Sequence, residues 1–148
     1  MKTDKINRLI DLKTEHLNGL RQDYRRLEQL VTDSEKLHQQ ALSHYDGYAK
    51  QIHAMEADGT QLLAVDMIDR RRFLATLHKE VSSTTDALAE VVKQQEYAQQ
   101  GLKQAYVEVK SLELLAERKS ILKKHQDNRK LFTLADDEHA ARIVQIGD

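Results

Sequence analysis

The sequence predicts an all-α fold: a long antiparallel two-helix coiled-coil hairpin with an overhanging C-terminal helix. Three observations carry that expectation. Twelve of fifteen heptad positions between Ile6 and Met55 are apolar, and so are twelve of fifteen between Met67 and Ala116. Only one convincing break separates the two series. No Pro occurs anywhere in the 148 residues, and an interior Pro would cost a helix about 3 kcal/mol. A single coiled-coil domain over 1–148 follows, with a first helix at about 4–57, a turn at 58–65 and a second helix at about 66–143.

The first helix carries Ile6, Ile10, Lys13, Leu17, Leu20, Tyr24, Leu27, Val31, Ser34, His38, Ala41, Tyr45, Tyr48, Ile52 and Met55 at alternating steps of four and three. Such steps keep one narrow stripe turned toward a partner helix. The break is Ala57-Asp58-Gly59-Thr60, where Gly59 can take the left-handed conformation that ends a helix. Asp66 is then a plausible N-cap and Asp69 adds negative charge to the first turn. The second series runs from Met67 through Arg70, Leu74, Leu77, Val81, Thr84, Leu88 and Val91 to Gln95. It continues with Ala98, Leu102, Ala105, Val109, Leu112 and Ala116. Gly19, Gly47 and Gly101 lie inside the pattern and read as soft points or places of close approach, because the stripe continues through them.

Folding the hairpin about 58–65 with Met55 on Met67 makes facing residue numbers sum to 122. Tyr24 then meets Ala98, Leu17 meets Ala105 and Ile6 meets Ala116. His38 falls opposite Thr84, where one hydrogen bond satisfies both polar groups. Lys13 opposite Val109 and Arg70 opposite Ile52 are expected to snorkel. Arms of roughly 50–55 residues at about 1.5 Å per residue span about 75–80 Å, long enough to pass through a protein ring. The first helix is exhausted near Ala116, so about the last 30 residues lack an intramolecular partner. They hold Arg118, Lys119, Lys123, Lys124, Arg129 and Lys130, and an apolar face of Phe132, Ala135, Ile143 and Ile146.

Composition bounds the function. With 23 basic and 24 acidic residues, no global field recruits nucleic acid or an acidic membrane. The lack of Cys excludes disulfides and thiolate metal sites. No segment approaches the ~20 apolar residues of a membrane span, and the N-terminus has no signal-peptide core. The expectation is a soluble, intracellular, all-helical protein.

Little in the chain suggests chemistry. Glu35-Lys36-Leu37-His38 has the Glu-x-x-His spacing of di-iron bundles, but those need two such motifs and more carboxylates, so His38 reads as a polar seam position. The remaining histidines (16, 44, 53, 78, 125 and 139) lack i, i+4 pairing and read as solvated. There is no phosphate loop, nucleophile elbow or zinc motif. Arg70-Arg71-Arg72 and the basic residues of 118–130 come without an aromatic platform, which argues against nucleic acid. No catalytic, cofactor or metal residue is assigned, and an enzyme is not expected. Phe73, one residue off the seam, either widens the apolar stripe or is an exposed docking residue.

The layout resembles the FliJ-type flagellar export proteins and their injectisome stalk counterparts in type III secretion. The residues that carry the likeness are Ile6-Asn7-Arg8-Leu9, the pair Tyr45 and Tyr48, and Arg72-Phe73-Leu74-Ala75-Thr76-Leu77. The block Val109–Lys119 with Leu112-Glu113-Leu114-Leu115 at its centre, followed by Asp136-Asp137-Glu138-His139-Ala140, completes it. The resemblance implies a non-enzymatic central stalk that binds the hexameric export ATPase and promotes its assembly and activity. It also implies links to the cytoplasmic domain of the export gate and to substrate-specific export chaperones, with attachment to the inner membrane through those partners only. By the same resemblance, Phe73 and Leu77 match the family's gate-contacting patch. Glu80 and Thr84 depart from the apolar residue and the histidine that the family can carry at the next positions. Leu77 also falls on the seam, so either the seam loosens there or the match of Leu77 to the patch is wrong. The ATPase end is expected at Arg118, Lys119, Lys123, Phe132, Ala135 and Ile143. An injectisome stalk, a generic cytoplasmic coiled-coil scaffold and a curvature-sensing membrane-surface protein are the competing readings. Self-association without partners marks the scaffold, and liposome flotation marks the membrane protein.

Overall fold

A computed structural model describes residues 2–57 and 64–146, except the side chains of residues 2, 3, 145 and 146. It has two helices, α1 (Lys2–Ala57) and α2 (Ala64–Ile146), which pack against each other as an all-α hairpin. Residues 58–63, with the expected breaker Gly59, lie outside the described set. Because α2 begins at Ala64, Asp66 sits in its first helical turn rather than at its cap. A carboxylate there still faces the positive end of the helix dipole.

The chain divides into two compact units. One holds residues 1–18 and 103–148, the other residues 19–102. In both units the same physics applies: a helix pair has one apolar line to bury and no third layer to cover it. All thirty heptad positions of the two series are sheltered from solvent, and the few other sheltered residues (Thr14, Leu42, Ala49, Val92 and Gly101) flank them. The buried core consists of Leu17, Val31, Ala41, Ile52, Leu77, Ala105 and Val109, each a seam position. Among the described residues no large side chain is fully enclosed. The fold therefore gains stability by small, repeated burials rather than from one dense centre, at about 25 cal/mol per Å² removed from water.

The polar seam residues set the register. The Thr84 hydroxyl donates its single proton to the Val81 carbonyl at 3.0 Å. His38 Nδ1 lies 3.1 Å from the same oxygen, a hydrogen bond across the seam. Lys13 reaches sideways to Glu108 at 3.4 Å, and Arg70 places a guanidinium nitrogen 3.0 Å from the Met55 sulfur. Both long side chains thus carry their charge to the edge of the seam. An exposed pair of this kind contributes at most about 1 kcal/mol, so register rests mainly on the apolar layers and on His38–Thr84. A chain carrying Cys at positions 24 and 98, in a sequence that has no other Cys, is expected to form an intramolecular disulfide under mild oxidation. Failure to bridge would exclude this register.

Candidate interaction surfaces

Two surfaces gather the residues singled out by the sequence, one in each unit. In the unit 19–102, Phe73 lies just off the seam on α2 and remains 50% exposed. It stands edge-on to Tyr48 of α1, ring centroids 4.8 Å apart at 78°, a geometry favoured by the aromatic quadrupole. One turn further along, Tyr45 meets His78 at 5.8 Å and 67°. A shallow groove beside them is lined by His44, Gly47, Tyr48, Phe73 and Leu77. A Cβ on Gly47 would meet nothing within 4 Å, so an incoming chain can approach the backbone of α1 there. Leu77 is only 7% exposed. The seam does not loosen at this point: Leu77 forms the floor of the groove and supports Phe73's neighbourhood, while Phe73 and Tyr48 form its wall.

In the other unit, every residue of α2 from Glu117 to Val144 is exposed. Arg118, Lys119, Lys123 and Ala135 lie on this surface, with Phe132 71% and Ile143 57% exposed. The side chain of Ile146, also expected on the apolar face, is outside the described residues. None of the described ion pairs reaches beyond Glu113, so the basic side chains from Arg118 onward are open to a partner's acids. Just before this stretch, Lys110 donates to Glu113 at 3.1 Å and lies 5.6 Å from the Tyr106 ring centre. That hydrogen bond, with the attraction of the carboxylate, holds the Lys110 ammonium above the usual lysine range. No helix of the described residues is long and apolar enough to cross a membrane.

The sequence reading did not find a third surface. An apolar groove of about 590 Å³ runs beside the seam, with Leu20, Leu27, Ala98 and Gly101 below and Tyr97 at its edge. Its signal was present in the chain: Ala98 and Gly101 put two small residues where the facing layers carry Leu20 and Tyr24. A Cβ on Gly101 or Gly19 would likewise meet nothing within 4 Å, so neither glycine is required by a close helix–helix approach inside the chain. Ile121 was also passed over, although it stands eleven residues before Phe132.

Comparison with known families matches residues 1–145 to the family described as Flagellar FliJ protein. Neither the curated proteins nor the solved structures gave a match.

Proposed function

Because the chain belongs to the FliJ family and is a flagellar export-related protein, we propose that it serves as the central stalk of the export apparatus. In this reading it binds the hexameric export ATPase through its overhang, promotes ring assembly and hydrolysis, and joins the ATPase to the export gate and to substrate chaperones. It works in the cytoplasm, peripheral to the inner membrane through those partners. It does no chemistry itself.

The observation that carries the reading is the overhang. An uninterrupted helix of 28 residues, from Glu117 to Val144, is exposed on all sides. A lone helix is marginal in water unless a partner covers its apolar face. Arg118, Lys119 and Lys123 would pair with acidic groups of the ring, while Phe132, Ala135 and Ile143 would enter its apolar lining. A stalk held this way favours the subunit arrangements that fit it, and its effect on hydrolysis equals the difference in its affinity between arrangements. The test is ATP hydrolysis by the cognate ATPase at low enzyme concentration. Stimulation saturating near one chain per hexamer is expected. No stimulation together with no co-sedimentation would remove the stalk reading.

The groove beside Phe73 is the proposed gate contact, with Phe73 as its anchor and Leu77 as the buried support beneath. Exposed aromatics of this type commonly dominate an interface. Phe73→Ala is expected to weaken gate binding roughly tenfold, about 1.4 kcal/mol, while ATPase stimulation stays unchanged. Unaltered gate affinity in a titration would take Phe73 out of the site.

A further inference from the structure

The overhang carries a pattern that the stalk reading does not use. Ile121, Phe132 and Ile143 recur at intervals of eleven residues and are 48%, 71% and 57% exposed. Eleven residues make three helical turns to within about 20°, so the three side chains form a nearly straight line. Val107 and Leu114, both exposed, continue that line toward the hairpin at seven-residue steps. Val107 lies midway between the seam residues Ala105 and Val109, both buried. Half a turn separates it from them, so the line runs on the face of α2 opposite α1. No extension of α1 can cover it.

Three properties of the line identify its occupant. Within the overhang it is the same read in either direction, since Ile121 and Ile143 are equidistant from Phe132. The exposed stretch Glu117–Val144 also has its midpoint within two residues of Phe132. Finally, its charges are segregated: residues 118–130 hold six basic side chains and one acidic, whereas 131–146 hold Asp136, Asp137 and Glu138 against Arg142 alone. A reversed copy of the same segment satisfies all three conditions. We infer that, in the free protein, this face is covered by a second copy of the chain, the two overhangs lying antiparallel about Phe132.

In that arrangement Phe132 meets Phe132 of the second copy, and Ile121 meets Ile143 of the second copy at both ends. Arg129 comes level with Asp136 of the second copy to within one residue, and Lys124 with Glu138 to within two. A parallel pair would instead set the basic half against itself. The covered strip is about 45 Å long and 10–12 Å wide, roughly 1,000 Å² over both copies. That is the lower bound for a specific interface, and it fits a micromolar, reversible dimer. Such a dimer buries Phe132 and Ile143, the residues assigned above to the ATPase, so the two occupants exclude each other.

The test needs no ATPase, and self-association marks a scaffold only where ATPase stimulation is absent, so its outcome stands apart from that reading. Sedimentation equilibrium of the full chain from about 1 to about 100 μM is expected to show a monomer–dimer equilibrium. Phe132→Asp should weaken it at least tenfold, and Leu30→Asp, a change at an exposed position of α1, should leave it unmoved. Both positions are solvent-exposed, and circular dichroism verifies the helices. Because the natural chain has no Cys, orientation is read by cross-linking. Phe132→Cys should form a disulfide with itself. Ile121→Cys should cross-link to a chain carrying Ile143→Cys, and not to itself, since its own counterpart lies about 33 Å away. A monomer at every concentration, a dimer indifferent to Phe132→Asp, or self-cross-linking of Ile121→Cys would each overturn the inference.

Discussion

A chain that stops after Arg118 is expected to keep its hairpin and lose the ATPase. The seam closes at Ile6 and Ala116, and each residue from Glu117 to Val144 is exposed. Removing the overhang therefore uncovers no buried surface and breaks no seam layer. The melting temperature of the truncated chain should stay within a few degrees of the full chain, as expected when less than about 1 kcal/mol changes. Stimulation of the ATPase should fall to the unstimulated rate, because the proposed basic and apolar contacts after Arg118 go together. Thermal unfolding and steady-state hydrolysis on the same two samples check both halves. Full stimulation by the truncated chain would refute the assignment of the overhang, and a collapsed melting transition would show that it supports the fold.

Leu17→Asp is expected to have the largest effect on stability of any single change considered. Leu17 is among the most buried residues of the structure, and across the seam it faces the equally sheltered Ala105. A carboxylate there finds cations only a full turn away along α1, at Lys13 and Arg21, and must either keep its charge largely without water or disrupt the pairing. The cost is about 3 kcal/mol or more, a large share of the ~5–15 kcal/mol that holds a typical domain. Leu12→Asp provides the contrast. Leu12 is 64% exposed on the same helix, and its replacement should cost no more than about 0.5 kcal/mol. Denaturant titration of the two variants measures the difference. Equal effects would mean that the seam does not run through Leu17.

Most of this fold could be read from residue spacing. The heptad lines place every sheltered seam residue, because a two-helix pair allows one buried stripe and the chain repeats it without a gap. The facing of His38 and Thr84 followed from the register that sets Met55 on Met67, and the hydrogen bond between them bears that out. The interaction surfaces were less legible. Phe73 could be recognised as a residue beside the seam, but its edge-on packing against Tyr48 depends on how far two side chains from different helices lean together. Leu77 was assigned both to the seam and to a docking patch; burial decides its position, and its part in the patch becomes one of support. The groove at Gly101 escaped because small residues on a seam read as weaker packing rather than as space. Phe132 and Ile143 were legible as one face, but Ile121 escaped because it stands eleven residues before Phe132, closer to the hairpin than that face was traced.

The bond between His38 and Thr84 has a mechanical side. In a purely apolar seam, one helix can slide past the other by a heptad and find nearly equivalent partners, so the pair resists bending better than it resists shear. A heptad slip here would carry Thr84 to Val31 or Tyr45 and leave His38 facing Val91 or Leu77. Two polar groups would lose their bond inside the seam, at about 1–3 kcal/mol for each one stranded. The barrier acts only against displacement along the axis and leaves side-to-side flexing free. At the level of this bond the pair is thus keyed like a shaft in its collar: pushed along the axis, its two helices move as one.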